Sequence, residues 1–191
     1  MSIVLHIGIS YSPQKQDAFK TYFPKMHEYY QSTMLKIKQS DPSFKSPFVD
    51  TFPSAAFNLG LQIICKPHRD FKNLAFGICA IMALGAFDAE EGGHLVLDEL
   101  HLVIEFPPGS TALISFVVVT HLNTRVRLGE KRFSFIQYAS GTIFLYVKNG
   151  MQTDKTVLRN VTDEEKPLWK ILRSTRWEKG LAMFPMLCSY E

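Results

Sequence analysis

The chain has 191 residues, 46% of them hydrophobic, which is enough for one sizeable core and too few for two ordinary domains with linkers. Its net charge of +3 is too mild to mark a nucleic-acid binder by itself, and its three cysteines, without CxxC spacing, fit neither a disulfide framework nor a cysteine zinc site. The N-terminus lacks a basic stretch followed by a long apolar run, and no apolar run approaches a membrane span, so an intracellular protein in a reducing compartment with no membrane contact is expected.

In chain order, Phe19, Phe23, Met26, Tyr30, Met34 and Ile37 recur at spacings of three and four, the stripe of an amphipathic helix over 17–38. Pro24 interrupts it, either as a kink or in the first turn of a second helix. The turn-rich SDPSFKSP follows at 40–47. SAAFNLGLQIIC alternates Phe57, Leu59, Leu61 and Ile63 against Asn58, Gly60 and Gln62, a half-buried strand. LAFGICAIMALG over 74–85 is ambiguous between strand and helix, and its glycines and its position among strands favour strand. GGHLVL, HLVIEF, TALISFVVV, FSFIQY and a closing GTIFLYV read as further strands between Gly, Pro, Asp and Asn turns. Many short strands in one modest domain suggest a sandwich, barrel or jelly roll. Thr162 with Glu165 forms a capping-box pattern before the stripe Leu168, Ile171, Leu172 and Thr175, and Gly180 is a plausible stop. One domain over 1–191 is expected, mainly β with flanking helices: a helical flank over 1–45, a β core over 48–150 and a C-terminal helix over 160–182.

KPHRDFKN at 66–73 carries the chemistry. On a strand, His68 and Asp70 point the same way and offer an imidazole and a carboxylate to one point. Of the six histidines, His121 ends the apolar run Phe116 to Val119 and lies far enough downstream to return to His68; His94 and His101 flank a hairpin and read as structural. Two histidines and one carboxylate make the facial triad that holds a non-haem ferrous ion and leaves positions open for a 2-oxo acid and dioxygen. A 2-oxoglutarate needs its distal carboxylate anchored, and Arg132 with Ser134 two residues on supplies a guanidinium and a hydroxyl on one strand face. Asn58, on the polar face of the strand leading toward His68, is a candidate donor to the other end of the oxo acid. Basic residues gather at Arg125, Arg127, Lys131 and Arg132, and again at Lys166, Lys170, Arg173, Arg176 and Lys179, where a solvated helix face is the simpler reading.

HRDFKN resembles the HRDxxN signature of the TET/JBP branch of 2-oxoglutarate and Fe(II)-dependent dioxygenases, which oxidise the methyl group of 5-methylcytosine or thymine in nucleic acid. FPSAAFNLG, NLAFGICAIMALGAFDAEEGGHLVL, IEFPPGST, GEKRFSFIQYASG and RWEKGLAMF extend the resemblance, which is to fungal TET/JBP-like proteins, over about residues 19 to 187. It implies a double-stranded β-helix, the cupin-like jelly roll, wrapped by helices. It also implies iron on His68, Asp70 and His121, and 2-oxoglutarate on Arg132 and Ser134. Asn73 then corresponds to a residue contacting the target base and Tyr138 to an aromatic stacking on it; a turn-stabilising amide and a core tyrosine are the competing readings. The expected substrate is methylated DNA, in the nucleus, with Fe(II), 2-oxoglutarate and dioxygen and with no protein partner. A same-fold hydroxylase of a small molecule or protein side chain, and a non-catalytic transposon-derived binding module, are the alternatives.

Overall fold

The computed structural model describes residues 14–44, 51–60 and 64–185. Two helices come first, α1 (Gln14–Tyr22) and α2 (Pro24–Ser40). Pro24 occupies the first turn of α2, where its missing N–H is not needed, so a second helix begins there and the kink alternative falls away. Among the described residues, seven strands follow: β1 (Ser54–Asn58), β2 (Cys79–Ala86), β3 (Leu95–Leu97), β4 (Leu102–Ile104), β5 (Thr111–Ile114), β6 (His121–Asn123) and β7 (Lys131–Tyr138). The end of the first predicted strand, at 61–63, lies outside the described residues.

The strands form an antiparallel sheet of order β1-β7-β2-β5 and a second of order β4-β3-β6. Backbone at His68 extends the second sheet, exchanging hydrogen bonds with His121 in both directions at 3.2 and 3.0 Å. With that segment counted as a strand, the first, eighth, third and sixth extended segments share one sheet, and the fifth, fourth, seventh and second share the other. This is the connectivity of a double-stranded β-helix jelly roll.

The central strand β2 explains why its sequence showed no clear period. Cys79, Ile81 and Ala83 face the core between the sheets with Leu95, Leu97, Ile104, Phe106 and Phe116. Ala80 turns to a second core, with Phe19, Met26, Tyr30, Phe52 and Phe144, under the helices. Both faces are covered, so an uninterrupted apolar run is what the position requires. The Tyr30 hydroxyl ties the helical layer to the sheet, accepting from the Ile78 N–H at 3.0 Å and donating to the Ile78 carbonyl at 3.2 Å. Gly77 leaves room for it, since a Cβ there would lie 2.5 Å from the phenol oxygen.

Several expectations for the C-terminal half need correction. GTIFLYV does not close the strand series: it forms helix α3 (Gly141–Lys148). Its β-branched and aromatic residues favour strand in isolation, but Phe144 drops into the helical core, 5.2 Å from the ring of Tyr29 and 5.0 Å from that of Tyr30, and this packing overrides propensity. An unanticipated α4 (Asp154–Asn160) follows, capped by the Thr153 hydroxyl, which accepts from the Thr156 N–H. The single C-terminal helix is two, α5 (Lys166–Ser174) and α6 (Arg176–Leu181), separated at Thr175. The Thr162–Glu165 capping box forms in both directions ahead of α5. Leu168, Ile171 and Leu172 point outward, so that stripe is not a core face. Gly180 lies within α6, where any Cβ would meet the Phe76 ring at 2.2 Å, so close packing and not helix termination requires it. Among the described residues, no helix is long and apolar enough to cross a membrane.

Candidate metal centre

The bridge between His68 and His121 fixes the site. It sets the two histidine backbones opposite each other, and the Asp70 N–H donating to the Phe116 carbonyl at 2.9 Å holds the carboxylate beside them. One ligand atom from each of His68, Asp70 and His121 lies within 4.8 Å of the other two. The His68 Nδ1 faces the Lys66 carbonyl at 2.7 Å, and the His121 Nδ1 faces the Val119 carbonyl at 3.2 Å. A carbonyl can only accept, so Nδ1 carries the proton in both rings and Nε2 is left as the ligand atom. The His68 Nε2 stands 3.8 Å from an Asp70 oxygen. Burial pushes the His121 imidazole below its ordinary range, with the Val119 carbonyl opposing, and so favours the neutral ring that a metal needs. Phe116 stacks on that ring at 3.9 Å. Two imidazoles that present Nε2 and a carboxylate, with His68 and Asp70 partly exposed and His121 buried, fit a divalent transition metal with vacant positions.

A strap not foreseen from the sequence braces this arrangement. Arg69, between the two ligands in sequence, pairs with Glu99 and donates through Nε to the Thr120 hydroxyl at 3.0 Å. Glu99 in turn accepts from the Thr120 N–H and hydroxyl, each at 2.6 Å. These hydrogen bonds from Thr120 and Arg69 hold the Glu99 carboxyl down at about 2. The strap therefore joins the segment carrying His68 and Asp70 to the one carrying His121.

Arg132, Ser134, Ile136 and Tyr138 alternate along β7 onto one face, toward the space between the sheets. Arg132 is 2% exposed. Its Nε donates to the Gly93 carbonyl at 3.2 Å, and its guanidinium carbon sits 5.9 Å from the centre of the Phe87 ring. Its Nη2 is buried and has no hydrogen-bond partner among the described residues. Gly93, at φ +73°, is needed here, since a Cβ would come 2.6 Å from Phe87. Ser134 is buried two positions along and accepts from the Asn58 amide at 3.0 Å, the two being register partners of β7 and β1. Cys65 lies close enough to both Arg132 and Asp70 to feel both charges, which ties the buried guanidinium to the metal ligands. A buried cation with an unused donor pair fits an incoming carboxylate.

At the other end of this face, Asp70, Asn73 and Tyr138 line one cleft of about 450 Å³ with Ala56, Phe71 and Ile136. The Asn73 amide is turned inward, 3.4 Å from Asp70 Oδ2 and 3.3 Å from the Cys79 sulfur. Cys79 is pushed up to about 12 by burial and the Asp70 charge, so it stays a thiol and offers no thiolate to a metal. His94 bonds with the Thr124 hydroxyl, and His101 makes the turn between β3 and β4, so neither joins the site. Arg127, in the first of the two basic groups, is held by Asp88 at 3.6 Å and Glu91 at 2.9 Å.

No protein-family model and no curated protein matches the chain. Among solved structures, NgTET1 in complex with 5mC DNA is 17% identical, with a TM-score of 0.42 over 73% of this chain and 59% of that one. This chain thus spans less than two thirds of that protein's length. The viral collagen prolyl hydroxylase of Paramecium Bursaria Chlorella virus-1, in its 2OG complex, is 15% identical, with a TM-score of 0.32 over 58% of this chain and 71% of that one.

Proposed function

We propose that the protein is an Fe(II) and 2-oxoglutarate-dependent dioxygenase that oxidises a methylated nucleic-acid base, 5-methylcytosine in DNA being the leading candidate. The observation that carries the reading is the pairing of a two-histidine, one-carboxylate cluster with a deeply buried arginine whose Nη2 has no partner among the described residues. Hydrolytic metal sites do not need such an anchor; a dicarboxylate cosubstrate does. When bound, iron and 2-oxoglutarate supply oxidation of a C–H bond by dioxygen, with succinate and carbon dioxide as the other products.

The chain's own residues have separate tasks. His68, Asp70 and His121 would hold the metal through two Nε2 atoms and a carboxylate. Arg132 and Ser134 receive the distal carboxylate of the oxo acid at a buried position, where a charge-assisted hydrogen bond is strong. Asn58 sets the Ser134 hydroxyl and so its direction. The substrate base enters the cleft beside Asp70. A base within a duplex cannot reach that position, so flipping is required, and Tyr138 and the 76% exposed Phe71 offer aromatic faces for the extruded base. Asn73 lies at the cleft wall and can release its amide from Asp70 to a Watson–Crick edge.

The test is to supply Fe(II), 2-oxoglutarate, oxygen and a methylated duplex and to read succinate and oxidised nucleosides by mass spectrometry in the same sample. Succinate with an oxidised base is the expected result. Succinate with no oxidised base would redirect the search to a small molecule or protein side chain, and no succinate from metal-loaded protein would overturn the dioxygenase reading.

A further inference from the structure

A second hollow, of about 490 Å³, lies between α2, α3 and α6, and its wall gathers Lys36, Lys148, Arg176 and Lys179 from three separate helices. No carboxylate among the described residues lines it. Among the described residues, Lys36, Lys148 and Lys179 form no ion pair, whereas Arg69, Arg127 and Lys166 are each matched to an acid. Burial, then the charges of Arg176 and Lys179, push the Lys148 ammonium below its ordinary value. Like charges gathered over partly apolar walls cost stability unless an anion relieves them.

The position of this hollow says which anion. Leu74 and Gly141 line it, while Lys72 and Asn73 line the cleft beside Asp70. One short backbone ladder separates the two: the Gly141 N–H donates to the Lys72 carbonyl at 3.0 Å, and the Leu74 N–H to the Ala139 carbonyl at 2.7 Å. Asn73 and Leu74 are consecutive residues, so the cleft and the hollow open on either side of this ladder. A strand with one base in the cleft has flanking phosphates to place, and the hollow is a basic surface next to that ladder.

We propose that the hollow walled by Lys36, Lys148, Arg176 and Lys179 binds a backbone phosphate of the nucleic-acid strand whose base enters the cleft beside Asp70. This rests on the nucleic-acid reading above and gives it a second anchoring point. It also reassigns the basic residues of the C-terminal segment. Arg176 and Lys179 contact substrate, while Lys166 remains a solvated surface charge paired with Asp163.

The experiment measures binding of a fluorescently labelled methylated duplex to the full chain by anisotropy over a series of salt concentrations. Wild type is compared with the combined Lys36→Gln, Lys148→Gln and Lys179→Gln variant. The variant is expected to bind more than tenfold more weakly at low salt, and its log affinity to fall with log salt by a slope about 2 to 3 shallower. An unchanged slope overturns the proposal. Should the combined variant fail to fold, Lys148→Glu alone, at an exposed position, is expected to weaken binding severalfold, and no weakening overturns the proposal. Inorganic phosphate is titrated in parallel; lysine-dependent phosphate binding with a lysine-independent duplex slope would show a site for a free phosphate and overturn the nucleic-acid assignment. Succinate formation without duplex separates the two readings. If wild type makes succinate and the slope is unchanged, only the phosphate site fails; if no succinate forms, the dioxygenase reading fails whatever the slope.

Discussion

The two ends of the inward face of β7 are built on opposite principles. At the Tyr138 end the polar groups are many, mutually engaged and, the buried His121 apart, partly exposed: histidines held by carbonyls, Asp70 beside Asn73, and Arg69 tied to Glu99 and Thr120. At the Arg132 end one charge is sealed under Phe87 and Gly93 with part of its hydrogen-bonding capacity unused. A metal site needs ligands already aimed but still open to exchange, so it tolerates water. An anchor for a dicarboxylate gains strength from dryness and is left unsatisfied until its ligand arrives.

That contrast can be broken most severely at the open end. Asp70→Ala or His68→Ala is expected to abolish succinate formation with little change in the circular dichroism spectrum, because half-exposed ligands contribute little to the core; full activity in either variant would remove the triad assignment. Next in size, Arg132→Met should cost about 2–5 kcal/mol of 2-oxoglutarate affinity while leaving Mn(II) binding, read by paramagnetic resonance, at the wild-type level. In wild type, 2-oxoglutarate at a hundredfold over its dissociation constant should add about 2.7 kcal/mol to stability in the presence of metal, and the variant should lose this gain.

Asn73→Ala sharpens the comparison, because the amide has two possible duties at the cleft. As an aid to Asp70 it should cost about 10–100-fold in metal affinity. As a base contact it should instead reduce base oxidation more than succinate production. The two readouts from one variant separate the roles.

The smallest effect is at the strap. The Glu99 carboxyl is lowered from about 4.5 to about 2 in the folded protein. Its contribution to stability is therefore present in full above pH 4.5 and lost as pH falls toward 2. Glu99→Gln should remove that part of the acid-unfolding profile and loosen metal binding severalfold, with little change at pH 7 in the thermal midpoint, since the group is exposed.

Much of the fold was legible because strands on a half-buried sheet announce themselves by alternation and by turn residues, as in FSFIQY. His68, Asp70, Arg132 and Ser134 were legible for the same reason: period-two spacing tells which side chains share a face. Glu99 was not, because an exposed carboxylate after Asp98 carries no local mark of the partners it finds across the chain. Nor was α3 legible. Seven consecutive residues of GTIFLYVK suit a strand until the helical core offers Phe144 a place between Tyr29 and Tyr30. Arg176 and Lys179 read as a helix face because their companions, Lys36 and Lys148, lie far away in sequence.

The phenol of Tyr30 acts at Ile78 as a one-residue imitation of a neighbouring strand, filling both hydrogen-bonding positions of the main chain just where the β2 ladder begins. Should α2 swing away during folding, that N–H and carbonyl would be left bare beside an apolar strand, the kind of template on which another chain can pair. Docking of the helical layer is thus also a guard against self-association, and Tyr30→Phe, which keeps the ring and deletes the oxygen, would be felt first as clumping on refolding.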